Sequence, residues 1–589
     1  MLTASFGSHN KNRGWSQSFG DPVRTLTAVK LEDVVPLIDL ASEAASSGFY
    51  VALLISYEAA PAFDPNLVAQ SPSQFPLAWA GIFKEPVTIE ERNGEYFADP
   101  WIAKLDRADY SLAIDQIHQQ IADGNTYQVN YTFPLTSSFN GDSLSWYRDL
   151  VVAQGAEYCA FLNLGRFQIL SLSPELFFER TVCDVKTRPM KGTVRRGRYL
   201  SEDMSLARWL RNSNKDQAEN VMIVDLLRND LGKVSIPGSV VVTDLFTLEK
   251  FETVWQMTST IKSRLLSGTT LTDLLRALFP CGSVTGAPKI STMKIINGLE
   301  KYLRGPYTGA IGLIQPGGDC TFNVAIRTIV VDSAERLATF GVGGGITIDS
   351  TAELEYDECI VKSRFLTNQK RSFELFESML VEDGEVYLVD RHLSRLRDSA
   401  EFFSFQYHEY EIKDRINSVL IDHPTGTWKM RLVLDTAGKI QLSLSSIDLA
   451  VTKPRRVRLA DGPVNSVDTA LFHKTTNREF YSAQLAAHPD CDDVVFWNER
   501  GEVTESTIAN IVVPQGGIMI TPRVDAGLLA GTFRAQLLAE KKIVEGAISI
   551  EQLKRTREFF LINSVRRWMK ATLEYSEFNC TEGLHFSIA

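Results

Sequence analysis

A polar run, TNQKRS at 367–372, interrupts this chain of 589 residues, and the patterns on its two sides differ in character. A helical spacing runs out at Leu366, and the alternating segment FELFESMLV begins at Phe373. Domains commonly hold roughly 100 to 200 residues. The break therefore predicts a first domain at 1–365, a linker at 366–372 and a second domain at 373–589. At 44% hydrophobic residues the chain can fill more than one core.

Upstream of the break, β-rich runs at Tyr50–Ser56 and Phe167–Leu172 alternate with helical patterns at Leu112–Ile121, Lys215–Leu231 and Thr270–Leu278. This is an α/β or α+β body. The first 20 residues read as a polar, poorly ordered arm. A strand at Leu337–Phe340 is expected to end at Gly341, Gly343, Gly344 and Gly345. These glycines do not spell GxGxxG and no helix opens after them, so no dinucleotide fold is indicated. Downstream, Leu393, Leu396, Ala400 and Phe403 recur at helical spacing within Asp390–Phe403, while Val494–Asn498 and Asn510–Val513 read as strands.

Composition removes several classes of function. With 61 Lys+Arg against 72 Asp+Glu the net charge is −11, the wrong sign for a nonspecific nucleic-acid or anionic-membrane surface. The seven cysteines are scattered with no CxxC pair, which supports neither a zinc site nor a disulfide framework. The start, MLTASFGSHNKNRGW, lacks a signal-like apolar core, and no run of about 18 apolar residues occurs. The expected location is the cytoplasm.

The first domain carries YQVN at Tyr127–Asn130, SLSPELF at Ser171–Phe177, RPMKGT at Arg188–Thr193, KDQAENVMIVDLLRNDLG at Lys215–Gly232 and FPCGSVTGAPK at Phe279–Lys289. RGPYTGAIG at Arg304–Gly312, FNVAIRT at Phe322–Thr328, GVGGGI at Gly341–Ile346 and ELEYDE at Glu353–Glu358 follow. Together they resemble the chorismate-binding family, an anthranilate synthase component I-like fold, and within it aminodeoxychorismate synthase component I. The resemblance implies chorismate and ammonia as substrates.

Chorismate is a dianion, so its site needs cationic or dipolar partners, and loss of its 4-hydroxyl needs an acid. Glu355 and Glu358 stand three apart, on one helix face, and carboxylates gathered there repel unless a cation joins them. By resemblance, Glu219 and Glu358, with Glu355 close by, would hold Mg²⁺. Tyr307, Arg327 and the amides near Gly341 and Gly343 would bind the enolpyruvyl carboxylate. Ser283 is either a further donor or simple turn chemistry. Glu175 matches the family's general acid, a role that needs a raised pKa. Lys191 matches the nucleophile of the p-aminobenzoate branch, which requires a partly deprotonated amine. Gln128 stands where the water-adding relatives place a lysine, so the resemblance implies that water is a poor nucleophile here. One departure is Gln256, at a position where many members carry histidine. No cysteine sits in a glutaminase-like elbow, so a separate glutamine amidotransferase subunit is expected.

The second domain carries RHLSRL with Arg395, HKTTNR with Lys474, GEVTESTIAN with Glu505 and Asn510, GLLAGTFR with Gly531 and Thr532, and NSVRRW at Asn563–Trp568. These resemble fold-type IV pyridoxal phosphate enzymes, which include aminotransferases and aminodeoxychorismate lyase. The resemblance implies that Lys474 carries the cofactor and shuttles protons, and that Glu505 pairs with its ring nitrogen. The amides of Thr532 and Phe533, at a helix start, would take the phosphate, with Arg395 supplying charge. Such domains commonly pair, so a homodimer through the second domain is an expectation.

The expected whole is a bifunctional enzyme of p-aminobenzoate synthesis for folate. Chorismate is aminated to 4-amino-4-deoxychorismate, and a lyase then releases pyruvate. Two alternatives stay open. One fuses an anthranilate synthase large subunit, or the aminodeoxychorismate synthase component, to an aminotransferase; the other makes the second domain a non-catalytic module.

Overall fold

A computed structural model of the chain describes residues 3–7, 15–71, 74–88, 94–366, 373–450 and 453–574. The chain divides into two compact units, one of residues 1–196 with 207–370 and one of 197–206 with 371–589. Of the expected linker, 366–372, residues 367–372 lie outside the described residues, as do 1, 2 and 8–14 of the expected arm.

The first unit is built on two ten-stranded sheets. Strand Tyr50–Ile55, YVALLI, shows why they stack. Every position is apolar, so both faces need cover. Val51, Leu53 and Ile55 join a cluster with Val34 and Ile38 of helix Leu31–Ser46 and Leu274 of helix Leu271–Leu278. Ala52 and Leu54 instead meet Ala160, Leu162 and Ile169 of the other sheet. That sheet buries Leu170 and Leu172 against Ile114 and Trp146 of helices Arg107–Ala122 and Ser143–Gln154. The result is four layers, helix, sheet, sheet, helix.

Six elements of this unit frame the site. They are β1 (Gln128–Gly141), β2 (Met190–Arg195), α1 (Asn214–Gly232), β3 (Val254–Arg264), β4 (Leu337–Ile346) and α2 (Ala352–Ser363). β4 pairs antiparallel with β1 in unbroken register from Leu337↔Ser138 to Ile346↔Val129. The glycines therefore continue the strand, contrary to the expected end at Phe340. The backbone ladder holds a segment that has no side chains to pack. β2 pairs with β3 through an irregularity between Met190 and Thr193, where Gly192 takes φ +91.

The expected N-terminal arm is also corrected. Ala4–Gly7 pairs with Tyr158–Asn163 and with Gln17–Phe19. Trp15 is fully buried and donates its indole N–H to the Cys159 carbonyl at 2.8 Å.

In the second unit, β5 (Leu375–Glu382) and β6 (Thr427–Leu434) pair antiparallel in a four-stranded sheet. Leu393, Leu396 and Ala400 of α3 (Val389–Phe403) pack on its core face. An eight-stranded mixed sheet carries Asp493–Trp497, β7 (Val503–Ser506) and Asn510–Gln515. Helices α4 (Glu479–Ala487) and α5 (Thr532–Ala539) complete the frame of its pocket.

Candidate functional site

In the first unit one pocket gathers Glu175, Lys191, Glu219, Ser283, Tyr307 and Arg327 with Gly341, Gly343, Glu355 and Glu358. Lys191 projects from β2 beside the Gly192 irregularity. Its carbonyl accepts from Asn220 Nδ2 of α1 at 3.2 Å, and the Gly192 carbonyl accepts from Gln256 Nε2 of β3 at 3.0 Å. Gln256, which stands at the position of the family's histidine, is thus tied to the strand that bears the lysine. Burial pushes the Lys191 ammonium below its usual value, against the pull of Glu219.

Glu175 sits in the turn between strands Phe167–Ser173 and Leu176–Thr181 and is 3% exposed. Burial raises its carboxyl to about 7, although the Ser283 hydroxyl, the Met190 amide and Lys191 all favour the anion. Ser283 therefore has a partner beyond turn chemistry.

Arg327 adopts φ +50 and has no acidic partner among the described residues. Burial lowers it to about 10. A half-buried guanidinium that lines a pocket without a counter-charge is a strong anion trap. Gly341 makes room for Tyr307, because a Cβ there would fall 2.2 Å from the ring. Gln128 does not line the pocket. It is fully buried, and both atoms of its amide lack partners among the described residues. A Cβ at Gly345 would lie 2.4 Å from Lys191 Nζ and 2.5 Å from Gln128 Nε2, so the missing side chain gives these groups their space.

The three expected metal ligands reach the same pocket without converging. Glu358 pairs with Lys362 at 2.7 Å, and Glu355 accepts from Ser350 Oγ at 2.7 Å. Among the described residues no group of three or more His, Cys, Asp or Glu side chains could hold a metal ion. The oxygen donors suit Mg²⁺ in kind, but as placed their partners are lysine and serine. They do not fit a bound cation in this arrangement.

The second unit's pocket gathers Lys474, Glu505, Arg395, Gly531 and Thr532. Lys474 Nζ lies 4.6 Å from the centre of the Phe376 ring. Burial, with Arg395 nearby, lowers its ammonium to about 7. Glu505 of β7 accepts from the Tyr481 hydroxyl of α4 at 2.8 Å and from the Leu529 amide at 3.1 Å. Burial raises its carboxyl to about 7. Gly531 caps α5, and a Cβ there would strike Asn510 Oδ1 at 2.0 Å. Phe533 does not line the pocket. Its side chain packs with Val512, Leu537 and Ile562 in a separate cluster. Arg395 reaches the pocket wall, yet its Nε and Nη2 are held by Glu377 at 2.9 and 2.6 Å.

Residues 14–368 match the family described as chorismate binding enzymes. The chain belongs to the chorismate-binding enzyme family. Residues 374–573 of this chorismate-binding chain match class IV amino-transferases. Aminodeoxychorismate synthase component 1 of Klebsiella aerogenes is 37% identical over 309 residues, 52% of this chain and 67% of that relative. Anthranilate synthase component 1 of Synechocystis sp. is 40% identical over 261 residues, 43% of this chain and 51% of that relative. The chain thus spans between about half and two thirds of these relatives. The crystal structure of anthranilate synthase component I from Streptococcus pneumoniae shares the fold of the first unit at TM-score 0.52 and 24% identity, covering 59% of this chain and 91% of that one.

The first unit's pocket also contains Lys362, which sequence reasoning missed. The available signal was its i+4 spacing from Glu358, a pair that on any helix reads as a surface salt bridge. Tyr481 was missed for another reason, since its link to Glu505 joins α4 to β7 across 24 residues.

Proposed function

We propose that the first unit aminates chorismate to 4-amino-4-deoxychorismate and that the second releases pyruvate from it to give p-aminobenzoate for folate. The observation that carries the first half is the meeting of a half-buried amine with a lowered pKa, Lys191, and a neutral-poised acid, Glu175, in one pocket with Arg327, which has no acidic partner among the described residues. Arg327 and Tyr307, with the amides near Gly341 and Gly343, would hold the enolpyruvyl carboxylate. Glu175 would protonate the departing 4-hydroxyl, which leaves as water while the Lys191 amine bonds to ring carbon 2. Ammonia would then bond at carbon 4 and expel Lys191. A separate glutamine amidotransferase would supply that ammonia. Mg²⁺ remains part of the proposal only if Glu358 exchanges Lys362 for the ion and Glu219 and Glu355 turn with it, so no step here uses it.

The second half rests on the donor set and on the charge of its pocket. Lys474, Glu505, Arg395 and the start of α5 suit pyridoxal phosphate by amine, ring-nitrogen partner and phosphate donors. That cofactor, when bound, would supply an electron sink. Lys474, with a lowered pKa, would take the proton from ring carbon 4. Lys429, Arg431 and Arg566 line the same pocket, whose one carboxylate among the described lining residues is Glu505. Such a wall favours a substrate with two carboxylates, as 4-amino-4-deoxychorismate has, over a monocarboxylic amino acid. A cytoplasmic location and a homodimer formed through the second unit belong to the same reading. Among the described residues no helix is long and apolar enough to cross a membrane.

Product analysis by chromatography tests both halves, using the full chain with chorismate, an ammonium salt, Mg²⁺ and pyridoxal phosphate. p-Aminobenzoate with pyruvate supports the whole reading. Accumulating 4-amino-4-deoxychorismate sinks the lyase half, and anthranilate sinks the role given to Lys191.

A further inference from the structure

His392 lies one helical turn before Arg395 on α3 and is fully buried. Its Nδ1 is 2.7 Å from Glu377 Oε2 of β5, and its Nε2 is 3.2 Å from Thr532 Oγ1 at the start of α5. The charged groups that face it are Glu377, Arg395 and Lys474. None of the roles above uses this histidine.

The proton positions follow from donor chemistry. Burial alone would raise Glu377, but Arg395 and His392 outweigh it and hold the carboxyl at about 2. Glu377 is therefore an anion and can only accept, so Nδ1 carries a proton and donates to it. Burial also pushes His392 below its ordinary value, which makes it neutral near pH 7. A neutral ring with its proton on Nδ1 has a lone pair on Nε2, and the Thr532 hydroxyl must donate to that lone pair. Thr532 then has no proton left for the pocket. A phosphate dianion, itself only an acceptor, meets lone pairs at this position.

One added proton reverses the polarity. A doubly protonated His392 donates Nε2–H to Thr532 Oγ1, and the hydroxyl turns its own proton toward the phosphate. Glu377 stands behind the new charge. We propose that Glu377, His392 and Thr532 form a proton relay beneath the phosphate seat, so that a phosphate dianion binds beside Thr532 together with one proton taken up by His392. His392 is here a positioning residue, acting on the ligand through Thr532. The inference rests on the reading of this pocket as a pyridoxal phosphate site.

The sign of the linkage is fixed. Binding raises the His392 pKa, so affinity is greatest below its free-state value and falls as pH rises toward its bound-state value. The fall approaches about tenfold per pH unit in that window.

Pyridoxine 5′-phosphate, which carries the ring and phosphate but no aldehyde to react with Lys474, is the probe. Titration calorimetry of the full apo-chain at pH 7.5, in two buffers of different ionisation enthalpy, counts protons taken up on binding. The wild type is expected to take up more protons than His392→Asn or Thr532→Val, by close to one. Protonation at the ring nitrogen or at Glu505 is common to all three proteins and cancels. Nitrogen-15 NMR of the wild type gives a readout independent of any variant's folding. Ligand should move His392 Nε2 from an unprotonated to a protonated signal. Equal proton counts in the three proteins, or a bound-state Nε2 that stays unprotonated, would overturn the relay. If the wild type fails to bind the probe at all, the cofactor reading of the pocket falls with it.

Discussion

The Ser283 hydroxyl donates a 2.7 Å hydrogen bond to Glu175 Oε1, a carboxyl that burial has already raised to about 7. The two effects oppose each other. Burial favours the protonated acid, and the serine favours the anion. Ser283 thus keeps the acid near neutrality instead of far above it.

Ser283→Ala should remove the bond that favours the anion and raise the Glu175 pKa further. A hydrogen bond to a charged group contributes about 1.5–3 kcal/mol, so the shift is on the order of one pH unit. Because the acid acts in its protonated form, the alkaline limb of kcat/KM for chorismate should move upward in pH. An unmoved or lowered limb would remove Glu175 from the acid role. Glu175→Gln should cut amination roughly 10²–10⁴-fold at every pH in the profile.

Lys191→Ala should leave the fold intact and lower amination by on the order of a hundredfold or more, equivalent to at least about 2.7 kcal/mol of barrier. Acid quenching of the wild type during turnover, followed by peptide mass spectrometry, should find the ring mass on Lys191. Full activity in the variant would turn the first unit toward the anthranilate-forming alternative.

Gly345→Ala separates geometry from chemistry in the same pocket. The added methyl would sit 2.4 Å from Lys191 Nζ and 2.5 Å from Gln128 Nε2, both ends of side chains that can swing aside. The expected outcome is a near-normal thermal midpoint with kcat sharply reduced. Gly298→Ala is the control, because nothing lies within 4 Å of its Cβ in helix Lys289–Leu299. It should stabilise by about 0.5–1 kcal/mol and leave kcat unchanged.

What the sequence made legible was local. The helical pattern expected over Thr270–Leu278 is a helix, Leu271–Leu278, that starts right after Thr270. Glu355 and Glu358, three apart, do reach one pocket from α2. What it hid was long-range. Ala4–Gly7 is four residues whose partner strand begins at Tyr158, and its alternation is too brief to show a period. A glycine run offers no side-chain pattern at all, so β4 ended too early. Arg395 was expected to be free for phosphate, and only the fold reveals that Glu377, 18 residues upstream, already binds it. Charges choose partners in space, and the pairing of Glu358 with Lys362 displaced the expected metal cluster in the same way.

The Glu377 ion pair should also set the acid stability of the second unit. Its folded pKa of about 2 lies below its ordinary 4.5, so it adds stability above the unfolded value that is lost as pH falls toward 2. The difference corresponds to about 3 kcal/mol. Glu377→Gln should therefore unfold at lower denaturant concentration at pH 7, and the gap from wild type should close between about pH 4.5 and 2. A gap that persists at pH 2 would mean that packing and not charge is what Glu377 supplies.

Arg304 offers the corresponding test in the first unit. It is 7% exposed and binds both oxygens of Glu300 at 2.7 and 2.8 Å. It also donates to the Val284 carbonyl at 2.9 Å and the Asn130 carbonyl at 2.7 Å, on two segments that line the pocket. Glu300 in turn accepts from the Thr132 amide at 2.8 Å. Arg304→Met would strand a buried carboxylate and free both carbonyls, a loss of about 3–5 kcal/mol. The double variant Arg304→Met with Glu300→Leu removes the stranded charge and should recover much of that stability in urea unfolding. It should not recover amination, because the guanidinium bridge between the carbonyls of Val284, next to Ser283, and Asn130 of β1 would remain broken. A double variant that regains both stability and rate would show that the pair acts on the fold alone.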